Sequence, residues 1–272
     1  MVLVYYRQSR RALPVRGEDE GSGGDLELYR ALEIRAGDVV AFVGAGGKSS
    51  AILQIARELR EAEIPVLVAP TTKMSLSEAE RVGSVLVSKG MKELSAAIAE
   101  TLISEGVAFA GSAMLSKRRI GSVEPAWIPA LAPGHGVTLV EADGSRRRPI
   151  KGTALHEPLL PEGATLVVVV GGLRALDESV DEEHVHRPEV FSEITGVGPG
   201  HTIDAPAFAR ALLAGLHNIP ENARRAALLA DVGPGPSMAR ASVVARELWR
   251  DGVRDVILSS LPKESPGRVW VL

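Results

Sequence analysis

A doubly wound α/β fold with a mainly parallel sheet is what this sequence predicts, and three observations carry the prediction. Short, β-branched apolar runs recur at 39–43, 66–69, 84–87, 107–110, 137–140, 165–170, 226–229 and 255–258, bounded by Gly, Pro or Asp. Strands buried on both faces of a parallel sheet look like this, because no face has to stay polar. Amphipathic stretches lie between several of the runs. The glycine-rich segment "FVGAGGKSS" sits where the first run gives way to the first such stretch. Strand and helix in alternation put helices on both faces of one sheet.

The elements follow in order. Residues 17–24, "GEDEGSGG", read as a flexible linker, so 1–24 form a flexible N-terminal extension; the stretch before the linker is either a loose tail or an added edge strand. From Asp25 to Leu272 no composition break or repeat calls for a second domain. After the first strand, Ile52, Ile55, Ala56 and Leu59 fall at i, i+3, i+4 and i+7, and Pro65 marks the end. Met91, Leu94, Ile98 and Leu102 form a second stripe. Asp204 reads as an N-cap before Phe208, Leu212 and Leu216, with Pro206 in the first turn, and Ser237 as the cap of a last helix running through Trp249.

Composition narrows the function. The net charge of -3 and pI near 6.1 argue against nucleic-acid or membrane-surface binding driven by bulk charge. No cysteine is present, which excludes disulfides, thiolate metal sites and a thiol nucleophile. The N-terminal apolar run is short for a signal peptide and no segment reaches membrane-spanning length, so a cytoplasmic protein is expected.

Strand, glycine turn, lysine, serine and helix make a phosphate-binding arrangement. N–H groups at a helix start carry partial positive charge, and glycines let the backbone close on phosphate oxygens. Gly44, Ala45, Gly46, Gly47, Lys48, Ser49 and Ser50 form the expected loop. Lys48 reaches the β and γ phosphates of ATP or GTP, Ser49 ligates Mg²⁺, and Ser50 offers a second phosphate contact. Phe42 occupies the first glycine of G-x-x-x-x-G-K-[ST], leaving the shorter G-x-x-G-K-[ST]. This P-loop NTPase-like form resembles the loop of the Mur-type ATP-dependent ligases. The competing reading is a tight turn with an exposed lysine.

In "GVTLVEADGSRRR" a strand ends at Glu141 and Asp143, which share a face by the period of two. Asp143 is the expected Mg²⁺ ligand, and Glu141 the group that positions or deprotonates a nucleophile, with Lys48 completing the catalytic set. In "VLVAPTTKM", Thr71, Thr72 and Lys73 follow a strand on the same rim and offer γ-phosphate contacts. Arg146 to Lys151 place four cations just past the acids, suited to an anionic second substrate, with Lys151, His156, Glu157, His186 and Arg187 as further substrate-site candidates. His184 and His186 are two apart, too few for a dedicated transition-metal site without other ligands. Asp231, after the late run "LLADV", is the one carboxylate placed to read a guanine; without an Asn-Lys before it, adenine is expected over guanine.

Taken in register, "VVAFVGAGGKSS", "VLVAPTTKM", "LVEADGSRRRPIKGTALHEPLLP", "VVVVGGLRALDESV" and "HVHRPEV" resemble the YqeC family, accessory proteins of selenium-dependent hydroxylases, over about residues 26–230. The resemblance implies a nucleotide-binding α/β fold and a role in maturing selenium-dependent molybdenum hydroxylases, with such a hydroxylase or its cofactor as partner. It carries onto the loop at 44–49, the turn at 71–73, the acids 141 and 143, Lys151, His156, Glu157, and the pair His186-Arg187. A chain without a thiol is no covalent carrier of selenium, so nucleotide-driven activation of a small anionic substrate fits better. The alternative is a nucleotide-switched chaperone docking on an apo-hydroxylase.

Overall fold

The computed structural model describes residues 26–264 and 266–272, together with the backbone of a separate antiparallel ladder, Leu3–Tyr5 against Ala12–Pro14. That ladder is not an added strand of the main sheet; the proposed linker at 17–24 lies outside the described residues.

Nine strands form the principal sheet: β1 Val39–Gly44, β2 Val66–Val68, β3 Ser84–Val87, β4 Val107–Gly111, β5 Val137–Glu141, β6 Leu166–Gly172, β7 Arg224–Ala230, β8 Asp255–Ser259 and β9 Val269–Val271. Their order is β9-β8-β7-β6-β1-β5-β2-β4-β3. Every neighbouring pair is parallel except β8 with β9. The eight predicted runs are the eight parallel strands. β9 was not foreseen: three residues after a Pro- and Gly-containing stretch carry no period to detect.

The two faces are covered by different helices. Val40, Phe42, Leu139, Val168 and Leu228 pack with Ile52, Ile55 and Leu59 of α1 (Lys48–Glu61). Val43, Val140, Val169 and Leu229 pack instead with Leu94 and Ile98 of α2 (Met91–Glu105), Phe191 of α3 (Pro188–Thr195), Phe208 and Leu212 of α4 (Ala205–Ala214), and Val244 and Leu248 of α5 (Pro236–Arg250). Alternate residues of each strand therefore feed alternate cores, which is why the runs are apolar throughout. At about 25 cal/mol per Å² of apolar surface, burial of side chains such as Phe42 and Phe109 supplies the main driving force.

Asp204 caps α4 as expected, accepting from Ala207 N–H at 2.8 Å. Ser237 does not cap α5. The cap position is Gly235, Pro236 takes the first helical position, and Ser237 Oγ accepts from Gly233 N–H at 3.2 Å. Proline's fixed φ suits that first position, which moves the start of the helix back. No helix among the described residues is long and apolar enough to cross a membrane.

Order matters for the site. The connection leaving β1 runs towards β2 on one side, and that leaving β6 runs towards β7 on the other. Adjacent strands whose connections diverge leave a crevice at their carboxyl ends. Residues 44–49 sit in that crevice.

Candidate functional site

The loop is shaped by close backbone contacts. Gly46 has φ +73°, and a Cβ there would lie 2.4 Å from Pro149 O and 2.5 Å from Gly172 N. Ala45 N–H donates to Val170 O at 2.9 Å, tying the loop to β6. α1 then begins at Lys48, and its first bond runs from Ala51 N–H to Gly47 O at 2.9 Å. The amides of Lys48, Ser49 and Ser50 are thus the open donors of a helix start.

Lys48 is buried, not exposed, which removes the competing reading's exposed lysine. Its Nζ lies 3.0 Å from Asp143 Oδ1, an ion pair without hydrogen-bond alignment, and donates to Gly44 O. Burial on its own would drive the ammonium towards neutrality; Asp143 and then Glu141 outweigh it and hold the pKa above the ordinary lysine value. Asp143 also accepts from Gly44 N–H at 2.8 Å and from Lys151 Nζ at 3.0 Å.

β5 delivers both acids towards α1, as the period of two requires, but they do different things. Ser49 Oγ donates to Glu141 Oε2 at 2.9 Å. Asp143 is occupied by two lysines. Ser49 and Asp143, both expected at Mg²⁺, are not bonded to each other: Ser49 meets Glu141, while Ala142 N–H continues the ladder to Phe42 O at 3.0 Å and Asp143, the next residue, pairs with Lys48. Burial pushes the Glu141 carboxyl up, more than Lys48 and the Ser49 hydroxyl pull it down. A carboxylate so placed gains from a proton or a cation beside it.

From Asp143 an alternating chain of charge runs outward. Lys151, 2% exposed, reaches Asp143 at 3.0 Å, Gly144 O at 3.0 Å and Glu157 Oε2 at 2.6 Å. Arg187 grips Glu157 with two bonds of 2.6 and 3.0 Å. Burial would raise the Glu157 pKa, but Arg187 and Lys151 lower it to about 2. His186 is depressed to about 4, first by burial and then by Arg187 and Lys151, so it is neutral at pH 7. The strands Ile150–Lys151 and Val185–His186 pair in parallel, which brings these two distant segments together.

The remaining expected residues divide. Thr71 is buried and donates to Leu159 O at 2.7 Å, a structural bond. Thr72 Oγ1 stands near Gly144, whereas Lys73 and His156 are exposed. Arg146, Arg148, His186 and Arg187 line a cleft of about 310 Å³. His184 bonds Asp181 at 2.9 Å, and no three His, Asp or Glu side chains converge as metal ligands among the described residues. Asp231 is buried in left-handed backbone at φ +63° and held by Arg174 at 2.6 Å. Two neighbours were missed by sequence reasoning: Gly172, which abuts Gly46, and Arg174. The pair Gly171-Gly172 ending a buried run is the signal that marks a close backbone approach.

Residues 40–189 match the family described as YqeC protein. The chain is also 31% identical over 193 residues to "Uncharacterized protein YqeC" of Escherichia coli (strain K12), an alignment covering 69% of this chain and 73% of that protein. The family match spans the loop, both acids, the charge chain and the His186-Arg187 pair.

Proposed function

Since the chain belongs to the YqeC family, we propose that it binds a Mg²⁺–nucleoside triphosphate, ATP or GTP, on the Gly44–Ser50 loop. The nucleotide activates a small anionic substrate or cofactor during maturation of a selenium-dependent molybdenum hydroxylase, the role that the family resemblance implies. One observation carries the nucleotide reading: a buried, charged lysine opens a helix at the sheet's switch point, 3.0 Å from one carboxylate, with the neighbouring serine 2.9 Å from another. Charge neutralisation around phosphate oxygens is what phosphoryl transfer needs from a protein. The strand order, with the loop strand β1 flanked by the acid strand β5 and by β6, supports the same reading.

The donor set fits magnesium. Ser49 Oγ and Glu141 Oε2 are hard oxygen donors side by side, and Mg²⁺ prefers one or two such groups, keeping water and phosphate oxygens for the rest of its shell. When bound, the ion supplies neutralisation of charge on the transferring phosphate. The chain's own part is to present the helix-start amides, to exchange the Lys48–Asp143 pair for a Lys48–phosphate pair, and to keep Asp143 paired with Lys151 meanwhile.

Calorimetry with ATP and GTP, with Mg²⁺ and with chelator, tests the reading. Lys48→Ala is expected to weaken binding at least a hundredfold while leaving the circular dichroism spectrum unchanged; equal affinity in variant and wild type would return the loop to a structural turn. Asp231 is already engaged by Arg174, so the preference between ATP and GTP is expected to stay well below the ~10⁴ of a complete base-reading site.

A further inference from the structure

We propose that the cleft between the Ser145–Arg148 turn and the segment 182–189 is an acceptor subsite for a small metabolite with an oxyanion, phosphomonoester or carboxylate, at one end and hydrogen-bond donors at the other. Its role as acceptor subsite rests on the nucleotide reading; its affinity for an anion does not.

The first support is unpaired charge. Arg146 and Arg148 line the cleft, and neither has an ion-pair or hydrogen-bond partner for its side chain among the described residues. A planar guanidinium matches two oxygens of a carboxylate or phosphate at once.

The second is backbone conformation. Arg146 and Arg147 are successive residues with φ +48° and +63°, in a turn closed by Arg148 N–H to Ser145 O at 2.9 Å. Left-handed backbone at both central positions is the pattern of a type I′ turn, normally filled by Asn and Gly. Arg187, on the opposite wall, is left-handed too, at φ +61°. A side chain beyond glycine is strained there, and such strain gathers where groups are held ready for a ligand. Two of these left-handed arginines, Arg146 and Arg187, line the cleft from opposite walls.

The third is what the remaining wall contributes. His186 is neutral at pH 7, so it offers one N–H and one lone pair rather than another charge. Glu182 and Glu189 stand exposed on the rim without ion-pair partners among the described residues. They repel a polyanion such as a triphosphate, and they accept from an amine, amide or hydroxyl. The cleft is therefore selective against the nucleotide itself. Its volume of about 310 Å³ lies at the small end of ligand pockets. The wall is also bonded back to the loop: Arg187 holds Glu157, Glu157 holds Lys151, and Lys151 holds the Asp143 that pairs with Lys48.

The test is calorimetric titration of inorganic phosphate and of acetate at constant ionic strength. It uses Lys48→Ala protein, whose phosphate loop is disabled, and wild-type protein saturated with a non-hydrolysable Mg²⁺–ATP analogue as a second arm. Anion binding is expected to survive in both, and to weaken at least tenfold when Arg146→Gln and Arg148→Gln are added. Arg225→Gln with Arg254→Gln, exposed at the opposite end of the sheet, removes the same charge and should change it less than twofold. The tighter of the two probes identifies the oxyanion as phosphate or carboxylate. Loss of all anion binding in both arms, or equal weakening by the remote pair, overturns the proposal. A Lys48→Ala protein that still binds nucleotide refutes the loop's role separately and leaves the cleft titration readable in the second arm.

Discussion

Replacing Lys151 with Met interrupts the chain of charges at its middle. Methionine keeps most of the stem volume, so packing is nearly conserved and the change is electrostatic. Two effects oppose one another. The variant no longer carries an ammonium that is 2% exposed out of water, a relief of several kcal/mol. It also loses contacts of 3.0 Å to Asp143, 3.0 Å to Gly144 O and 2.6 Å to Glu157. Replacing a whole buried pair by apolar groups is often neutral, but stranding one partner costs roughly 3–5 kcal/mol. Here neither acid is wholly stranded: Asp143 keeps Lys48 and Gly44 N–H, and Glu157 keeps Arg187. The loss should therefore fall at the lower end, about 3 kcal/mol, or about 6 °C in Tm at roughly 2 °C per kcal/mol for a chain this long. Urea unfolding followed by circular dichroism measures it, with an unchanged slope showing that the transition is the same one. A cycle with Glu157→Gln should give a coupling of at least about 1 kcal/mol. A loss under about 1 kcal/mol, or zero coupling, would mean that the 2.6 Å contact carries no energy and that the chain is an ornament of the fold.

Glu141→Gln should raise the Mg²⁺ concentration needed for half-maximal nucleotide binding by roughly tenfold, since one of two hard donors becomes a neutral amide; a magnesium titration that superimposes on wild type would sink the assignment. Gly46→Ala puts a methyl 2.4 Å from a backbone oxygen and should prevent accumulation of folded protein, whereas Gly37→Ala, at φ +90° in open space, should cost only the ~1–2 kcal/mol of left-handed strain; thermal melts of the pair decide between sterics and strain. The stability contributed by His186 and Glu157 should be complete above about pH 6.5 and be lost as pH falls. Between pH 6.5 and 4 the unfolded chain takes up a proton that His186, depressed to about 4, refuses in the fold; between 4.5 and 2 Glu157, at about 2, does the same. His186→Gln should flatten the upper limb by on the order of 1 kcal/mol, allowing for its partial exposure to solvent; identical pH profiles for variant and wild type would remove His186 from the account.

The parallel strands were readable because a strand covered on both faces has no polar positions to blur the run, and the glycine turn between β1 and α1 because its spacing is set by backbone geometry. Which acid serves which partner was not readable. A period of two puts Glu141 and Asp143 on one face, but it does not say that Glu141 meets Ser49 while Asp143 meets Lys48 and Gly44 N–H. Lys151, expected to face a substrate, is instead buried between Asp143 and Glu157, and Arg148 lines the cleft, for a like reason. Their neighbourhood depends on a two-residue pairing with Val185–His186, 35 residues on by the register Ile150 to Val185, and no local pattern announces it. Ser237 was misplaced as a cap because Ser and Pro adjoin there, and the proline took the first helical position.

β1 is the fifth of nine strands, hydrogen-bonded on both sides by parallel neighbours. Its amides can meet solvent deuterium only when the whole sheet comes apart, so their exchange should run at the rate of global unfolding. The facing segment at 150–151 and 185–186 is a ladder two residues long, paired with no other strand among the described residues, and its amides should exchange orders of magnitude sooner. The two sides of the crevice therefore keep different clocks. One wall is as permanent as the native state itself, and whatever enters or leaves does so by the breathing of the other.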